Sequence, residues 1–170
     1  VRACSGAVFC ATRQEALAYE RKARDRIFPQ GYGVLHPKHQ YDMARLLQVA
    51  SAGADVRILE SPPQAIVHVS EWLNRHAGGR AAVSITIRQS DFQAARNSDA
   101  TSWARFAKWL GEQNFLPVIV PDTEAYLSGV SVRLGAGIEY PAAAVNIELR
   151  AALYERCLIN LMVGGGPHLI

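Results

Sequence analysis

The chain has 170 residues, of which 49% are apolar and 19% are charged, and its formal net charge is +3. This balance is typical of a globular protein and excludes a disordered chain, and the length is sufficient to bury a substantial core. The basic cluster at residues 21–26 contains an aspartate, so it indicates a solvated helix face rather than a nucleic-acid interface.

The first 61 residues predict two helices and two short strands. In chain order these are a strand at 6–12, a helix at 13–27, a turn at 28–33, a helix at 39–54 and a strand at 55–61. Pro62–Pro63 then interrupts the pattern and marks a domain boundary. We expect residues 1–61 to be a remnant of an N-terminal domain or a connecting segment.

From residue 62 onward, helices alternate with apolar strands. The predicted elements are a helix at 63–77, a strand at 80–89, a polar loop, a helix at 102–114, a strand at 115–122, an irregular stretch at 123–141, a helix at 142–157 and a strand at 158–163. Nearly continuous apolar strands between amphipathic helices are typical of a parallel sheet with helices on both faces. The sequence therefore predicts an α/β, Rossmann-like fold for residues 62–170.

The cysteines and the apolar runs indicate a cellular compartment. Cys4, Cys10 and Cys157 are odd in number and lack zinc-ligand spacing, so they favour a reduced, cytoplasmic protein. No apolar run approaches 18 residues, so we expect no transmembrane segment. The chain begins with valine and has no basic-then-apolar leader, so we expect a piece of a longer protein, truncated at its C-terminus.

Polar and glycine residues follow three of the predicted strands. Ligands of open parallel sheets bind beyond the carboxyl ends of the strands, so we expect these residues to meet at one edge. The candidate residues are Arg88, Arg96, Asn97, Ser98, Asp122, Thr123, Glu124, Gly164, Gly165, Gly166, Pro167 and His168.

The chemistry of this set suits an anionic ligand with hydroxyl groups. Guanidinium groups such as those of Arg88 and Arg96 hold phosphate oxygens bidentately. Glycines 164–166 let main-chain amides approach a ligand, and a helix beginning near Pro167 would direct its positive end at an anion. Carboxylates at 122 and 124 can accept hydrogen bonds from sugar hydroxyls. The set therefore predicts a site for a nucleotide or a nucleotide-sugar.

Each candidate also has a purely structural interpretation. Arg88 can form an ion pair with Asp91 or Glu124, and residues 96–98 can shape a turn. Asp122 can be an N-cap, and the three glycines can form a tight turn without a ligand. His36, His39, His68 and His76 need no role beyond the surface or the core.

Two stretches resemble the C-terminal sugar-donor domain of GT-B glycosyltransferases, in particular the lipopolysaccharide heptosyltransferase-like group. They are "SITIRQSDFQAARNSDATSWARFAKWLGEQNFLPVIVPDTE" and "IELRAALYERCLINLMVGGGPHLI", within residues 83–170. The resemblance implies that Gly166, Pro167 and His168 face the donor diphosphate. It also implies that Arg88 or Arg96 faces the phosphates and that residues 122–124 contact the donor. The family's Asn-Asp pair is replaced here by Gly164 and Gly165, which leaves only main-chain donors at that point.

The function implied by the resemblance is transfer of a sugar from a nucleotide-sugar to a hydroxyl of a saccharide or lipid-linked acceptor. It requires no metal and no cofactor besides that substrate, and it involves no nucleic acid. The general base of such enzymes belongs to the N-terminal domain, so no catalytic residue can be named here. Two alternatives stay open: a non-catalytic α/β module that binds a nucleotide or a protein, and a sugar-nucleotide epimerase of the same fold.

Overall fold

The computed structural model describes residues 8–27, 33–35, 43–54 and 60–163. These residues belong to two compact units, one within residues 3–58 and the other within residues 59–170. The predictions for the glycine segment at 164–166 and for most of the strand at 55–61 lie outside the described residues. No helix in the described part of the chain is both long and apolar enough to cross a bilayer.

The described part of the first unit contains two α-helices. Helix α1 spans Arg13–Ala23 and continues into a 3-10 turn at Arg24–Arg26, and α2 spans Met43–Ser51. The strand predicted at 6–12 is wrong over residues 8–12, which hold no strand. Thr12 is the N-cap of α1 and accepts a hydrogen bond from the Glu15 amide at 3.2 Å. The Glu15 carboxylate accepts in return from the Ala11 amide at 2.9 Å, so this reciprocal capping ends the extended stretch.

The second unit is an α/β fold, as the sequence predicts. Its elements are α3 (Pro63–Ala77), β1 (Ala81–Thr86), α4 (Ala100–Glu112), β2 (Phe115–Val120), α5 (Thr123–Leu127), β3 (Ile138–Glu139), α6 (Ala142–Val145), α7 (Ile147–Arg156) and β4 (Ile159–Met162). The four strands form one parallel sheet with the order β3-β2-β1-β4. The prediction of a Rossmann-like parallel sheet is confirmed.

Both faces of this sheet are covered by helices, which explains why the strands are apolar throughout. On one face, side chains such as Ile85 and Ile119 pack against α4. On the other face, Val118 and Val120 pack with residues of α3 and α7. Strand side chains alternate between the two faces, so both the odd and the even positions of β1 and β2 have to be hydrophobic or satisfied by hydrogen bonds.

The strand order reverses beside β1. The chain adds β2 and then β3 on one side of β1, and it then returns to place β4 on the opposite side. A crevice opens at such a reversal because the crossovers on its two sides lie on opposite faces of the sheet. The carboxyl ends of β1 and β4 therefore flank the topological switch point.

Polar side chains fix β4 against β1 at this reversal. The Ser84 hydroxyl donates to Asn160 Oδ1 at 2.6 Å, and Asn160 Nδ2 donates to the Tyr154 carbonyl at 3.0 Å. The Thr86 and Tyr154 hydroxyls lie 2.7 Å apart in a buried hydrogen bond. Ser84 and Thr86 are buried, so these partners satisfy the polar positions of β1, and the Ser84–Asn160 bond favours the observed register of β4.

Two features of the region from 123 to 157 differ from the prediction. The segment at 123–141 contains α5 and the two-residue strand β3. The single helix predicted at 142–157 is wrong, because Asn146 adopts an extended conformation (φ −125°, ψ 111°) between α6 and α7. Its side-chain oxygen accepts from the Glu148 and Leu149 amides, so this residue caps α7 and interrupts the helix.

Two buried tyrosines provide a matched test of hydrogen bonding in the core. The Tyr140 hydroxyl is buried and has no hydrogen-bond partner among the described residues, whereas the Tyr154 hydroxyl is bonded to Thr86. Tyr154→Phe should lower the free energy of unfolding by about 1–3 kcal/mol, because it leaves the Thr86 hydroxyl without its partner. Tyr140→Phe should leave that free energy unchanged or raise it by about 1 kcal/mol. Urea unfolding of both variants measures the difference. An equal loss of unfolding free energy in the two variants would contradict a stabilising hydrogen bond between Tyr154 and Thr86.

The half-buried thiol of Cys157 should make stability depend on pH in the alkaline range. Burial raises the pKa of Cys157 to about 12, whereas an unfolded cysteine titrates near about 8.5. The folded state therefore holds a proton that the unfolded state has lost, and the stabilisation present below about pH 8.5 is lost as pH rises toward about 12. The free energy of unfolding should fall by up to about 1.4 kcal/mol per pH unit in this window. In Cys157→Ala, the free energy of unfolding should fall less steeply with pH. Identical slopes in the variant and in wild type would show that burial does not raise the pKa of the thiol.

Candidate functional site

The carboxyl edge of the sheet holds the described candidate residues. Because β1, β2 and β4 are parallel, the segments that follow them leave the sheet at the same edge. The loop at residues 88–98 follows β1, and Asp122 follows β2 at the start of α5. Residues 164–168, predicted to follow β4, lie outside the described residues.

Arg88 lies inside the loop that it begins. Its guanidinium donates to the main-chain carbonyl of Phe92, to that of Gln93 at 3.2 Å and to Asn97 Oδ1 at 2.6 Å. The side chain is half-buried. The guanidinium thus holds the tip of the 88–98 loop together, and its partners among the described residues are oxygens of the loop itself rather than the carboxylates of Asp91 or Glu124.

Asn97 and Ser98 close the same loop from its other end. The Asn97 side chain accepts from the Ser90 amide and donates to the Ser90 carbonyl, both at 3.0 Å, which imitates the pairing of two strands. The Ser98 hydroxyl accepts from the Arg88 amide at 2.9 Å, and the Ser98 amide donates to the Arg88 carbonyl at the same distance. Each end of the loop is therefore fixed to the other by two hydrogen bonds.

Arg96 lies on the exposed side of the loop, in a 3-10 turn at Ala94–Arg96. Its guanidinium bonds to the Gln93 side-chain oxygen. Gln93 has a left-handed backbone conformation (φ 54°, ψ 55°), which is rare for a residue with a side chain and costs of order 1–2 kcal/mol. The loop therefore stores backbone strain at its tip, where Arg88 holds the Gln93 carbonyl.

Asp122 connects the 88–98 loop to α5. One carboxylate oxygen accepts from the Gln89 amide at 3.1 Å. The other caps α5 by accepting from the Glu124 amide at 3.0 Å and the Ala125 amide at 3.3 Å. The N-cap interpretation of Asp122 is confirmed, and the second contact adds a bridge between two crossovers.

Gln89 is a positioning residue that sequence reasoning missed. Its side-chain nitrogen donates to the Val130 carbonyl at 3.0 Å, and its side-chain oxygen accepts from the Val132 amide at 2.9 Å. The segment after α5 is therefore attached to the residue that follows Arg88. The sequence places Gln89 directly after a predicted strand, which is a hint of a role at the sheet edge. A lone glutamine at such a position does not show which groups it will bond to.

Thr123 and Arg150 form a second polar group on the α7 side of this edge. The Thr123 hydroxyl donates to the Ala144 carbonyl at 2.6 Å. Arg150 donates to the Ala143 carbonyl at 2.6 Å and the Ala144 carbonyl at 3.1 Å, with a longer contact of 3.3 Å to the Thr123 hydroxyl. Arg150 caps the end of α6, and sequence reasoning missed it because the helix break at Asn146 was not predicted.

The start of α4 is capped by Asp99, next to the loop. Asp99 accepts from the Thr101 amide at 3.1 Å and from the Ser102 hydroxyl at 2.6 Å. The hydrogen bond from Ser102 is the main cause that lowers the pKa of Asp99, so this carboxylate is committed to the helix. The 88–98 loop is thus fixed at both ends, by β1 and by the capped helix.

The site is a rigid polar rim. Arg88, Asn97, Ser98 and Asp122 form one connected network, and Arg96 is exposed. Such a rim can present the Arg96 guanidinium to an anion without reorganising first. Among the described residues, no group of three histidine, cysteine, aspartate or glutamate side chains is arranged to hold a metal ion.

Comparisons with protein-family models, curated proteins and solved structures found no match. A Rossmann-like fold hosts many unrelated functions, so the argument for function depends on the chemistry of this edge.

The loop network can be tested through Asn97. Asn97→Ala removes both bonds to Ser90 and one bond to Arg88, so the Ser90 amide should exchange with solvent at least about 10-fold faster. The free energy of unfolding should fall by about 1–3 kcal/mol. Hydrogen exchange of the Ser90 amide and thermal unfolding are the measurements.

Asp91→Ala is the matched control for Asn97, because Asp91 is an exposed residue of the same loop. The control should leave Ser90 exchange unchanged. Unchanged exchange in Asn97→Ala as well would show that the loop does not depend on this network.

Proposed function

We propose that residues 62–170 form the nucleotide-sugar-binding domain of a GT-B type glycosyltransferase, which transfers a sugar to an acceptor hydroxyl. The observation that carries this proposal is the reversal of strand order between β1 and β4. Ligands of open α/β sheets lie in the crevice at such a reversal. The 88–98 loop follows β1 at this reversal, and the family resemblance assigns that loop, together with residues 164–166, to the donor diphosphate.

The loop geometry indicates different roles for the two arginines. Arg88 holds carbonyl groups of the loop, so its role is to position the loop. Arg96 is exposed, and we assign it the contact with phosphate oxygens. A guanidinium there stabilises the negative charge that develops on the departing nucleoside diphosphate, and the proposal requires no metal ion for that step.

One observation favours a second candidate, a non-catalytic α/β module that binds a nucleotide or a protein. Arg88, Asn97, Ser98 and Asp122 are all hydrogen-bonded to groups of the 88–98 loop. Such bonding would hold equally in a domain that has no reaction to perform. The two candidates differ in the fate of the ligand: the transferase breaks the bond between sugar and diphosphate, and the module binds the nucleotide-sugar unchanged.

Nucleoside diphosphate binding tests the site. We expect ADP or UDP to bind in calorimetric titrations that contain EDTA, and Arg96→Ala to weaken binding about 10-fold through loss of a charged hydrogen bond. Lys108→Ala is the matched control. Lys108 is an exposed cation of α4 toward the amino edge of the sheet, whereas the candidate residues lie at the carboxyl edge. Equal affinities for wild type and Arg96→Ala would remove the phosphate role of Arg96. Failure of both nucleotides to bind wild type would overturn both candidates as nucleotide-binding proteins.

The transferase and the module are separated by following a bound nucleotide-sugar. Incubation of UDP-glucose or ADP-glucose with the protein and a panel of saccharide acceptors should release the nucleoside diphosphate if the chain is a transferase. The anomeric proton signal in NMR spectra reports that release. Binding with an unchanged anomeric signal would favour the module.

A further inference from the structure

We propose that the ring of Phe92 stacks on the nucleobase of the ligand at this crevice. The base is then the part of the ligand that Phe92 of the 88–98 loop recognises. This inference rests on the proposed nucleotide binding. Phe92 lies at the tip of the loop that follows β1, and its side chain is 72% exposed. Phenylalanine is usually buried, so an exposed ring at the ligand-binding edge is an unused apolar surface.

The backbone of Phe92 is held from both sides. Its amide donates to the Ser90 hydroxyl at 3.2 Å, and its carbonyl accepts from the Arg88 guanidinium. The next residue, Gln93, is fixed in a left-handed conformation, and its carbonyl also accepts from Arg88. The ring is therefore exposed on a backbone that is already ordered, which lowers the entropic cost of placing a ligand against it.

The chemistry of the loop matches the two ends of a nucleotide. A phenylalanine face stacks on any base, because every base has a π-face. Arg96 lies four residues later on the same loop, and its guanidinium suits the phosphates. The base and the diphosphate are thus recognised by different side chains of one loop, and ligands that lack the base should not depend on Phe92.

Two exposed aromatic side chains of α4 have a different setting. Phe106 and Trp109 on α4 stack on each other, with ring centroids 5.5 Å apart, and Trp109 is 49% exposed. Trp109 lies in the last turn of α4, toward the amino edge where β2 begins. It is therefore a matched aromatic control that is exposed but distant from the switch point.

Titrations of the 170-residue chain with ADP, UDP and inorganic pyrophosphate separate base recognition from phosphate recognition. Phe92→Ala should weaken ADP binding by about 5- to 150-fold, the range that loss of one base–aromatic stack produces. UDP should lose less because its ring is smaller, and pyrophosphate affinity should stay within about 2-fold. Phe92→Leu should lose affinity for ADP as well, since it keeps an apolar side chain but has no π-face. Trp109→Ala should bind all three as wild type does.

A spectroscopic signature distinguishes stacking from a loss of loop structure. The adenine protons of bound ADP should shift upfield in NMR spectra with wild type, because of the ring current of Phe92, and this shift should vanish with Phe92→Leu. Unchanged ADP affinity in Phe92→Ala, or an equal loss for pyrophosphate, would overturn the stacking role while nucleotide binding stands. Failure of wild type to bind ADP and UDP would instead overturn the proposed function, and the stacking role with it.

Discussion

The pairing of β4 with β1 depends on a buried hydroxyl of β1 that bonds to a side chain of β4. Ser84 and Thr86 are polar residues on a strand that is otherwise apolar, and their partners are Asn160 on β4 and Tyr154 on α7. A hydrophobic pair would not discriminate between neighbouring registers, whereas an unmatched buried hydroxyl has a cost of a few kcal/mol. The Ser84–Asn160 pair therefore favours the observed register of β4 beside β1, on the side where the strand order reverses.

The carboxyl edge shows how one residue type can serve two purposes in a single loop. Arg88 is enclosed by oxygens of its own loop, and Arg96 is exposed. A guanidinium has five N–H groups in a planar fork, so it can organise several carbonyls that would otherwise need water. Building the rim around such a group makes it rigid before any ligand arrives, and rigidity is what an electrostatic site requires.

The sequence predicted the α/β fold because the apolar strands and amphipathic helices have distinct periods. It missed β3, which has two residues and no pattern to detect, and it missed the break at Asn146 because alanines on both sides favour a helix. It placed Asp122 as a cap correctly, since that depends on local spacing. The partners of Arg88 could not be predicted, because two of them are main-chain carbonyls that carry no residue-specific signal.

This reliance of Arg88 on carbonyl groups has an evolutionary consequence. The shape of the loop is set by side chains at 88, 90, 97 and 98 acting mainly on main-chain atoms. The outward side chains at 91, 92, 94 and 95 contribute little to that shape, so they can drift or be randomised while the framework persists. If the loop binds a ligand as proposed, a combinatorial library confined to those four positions is a direct route to altered selectivity.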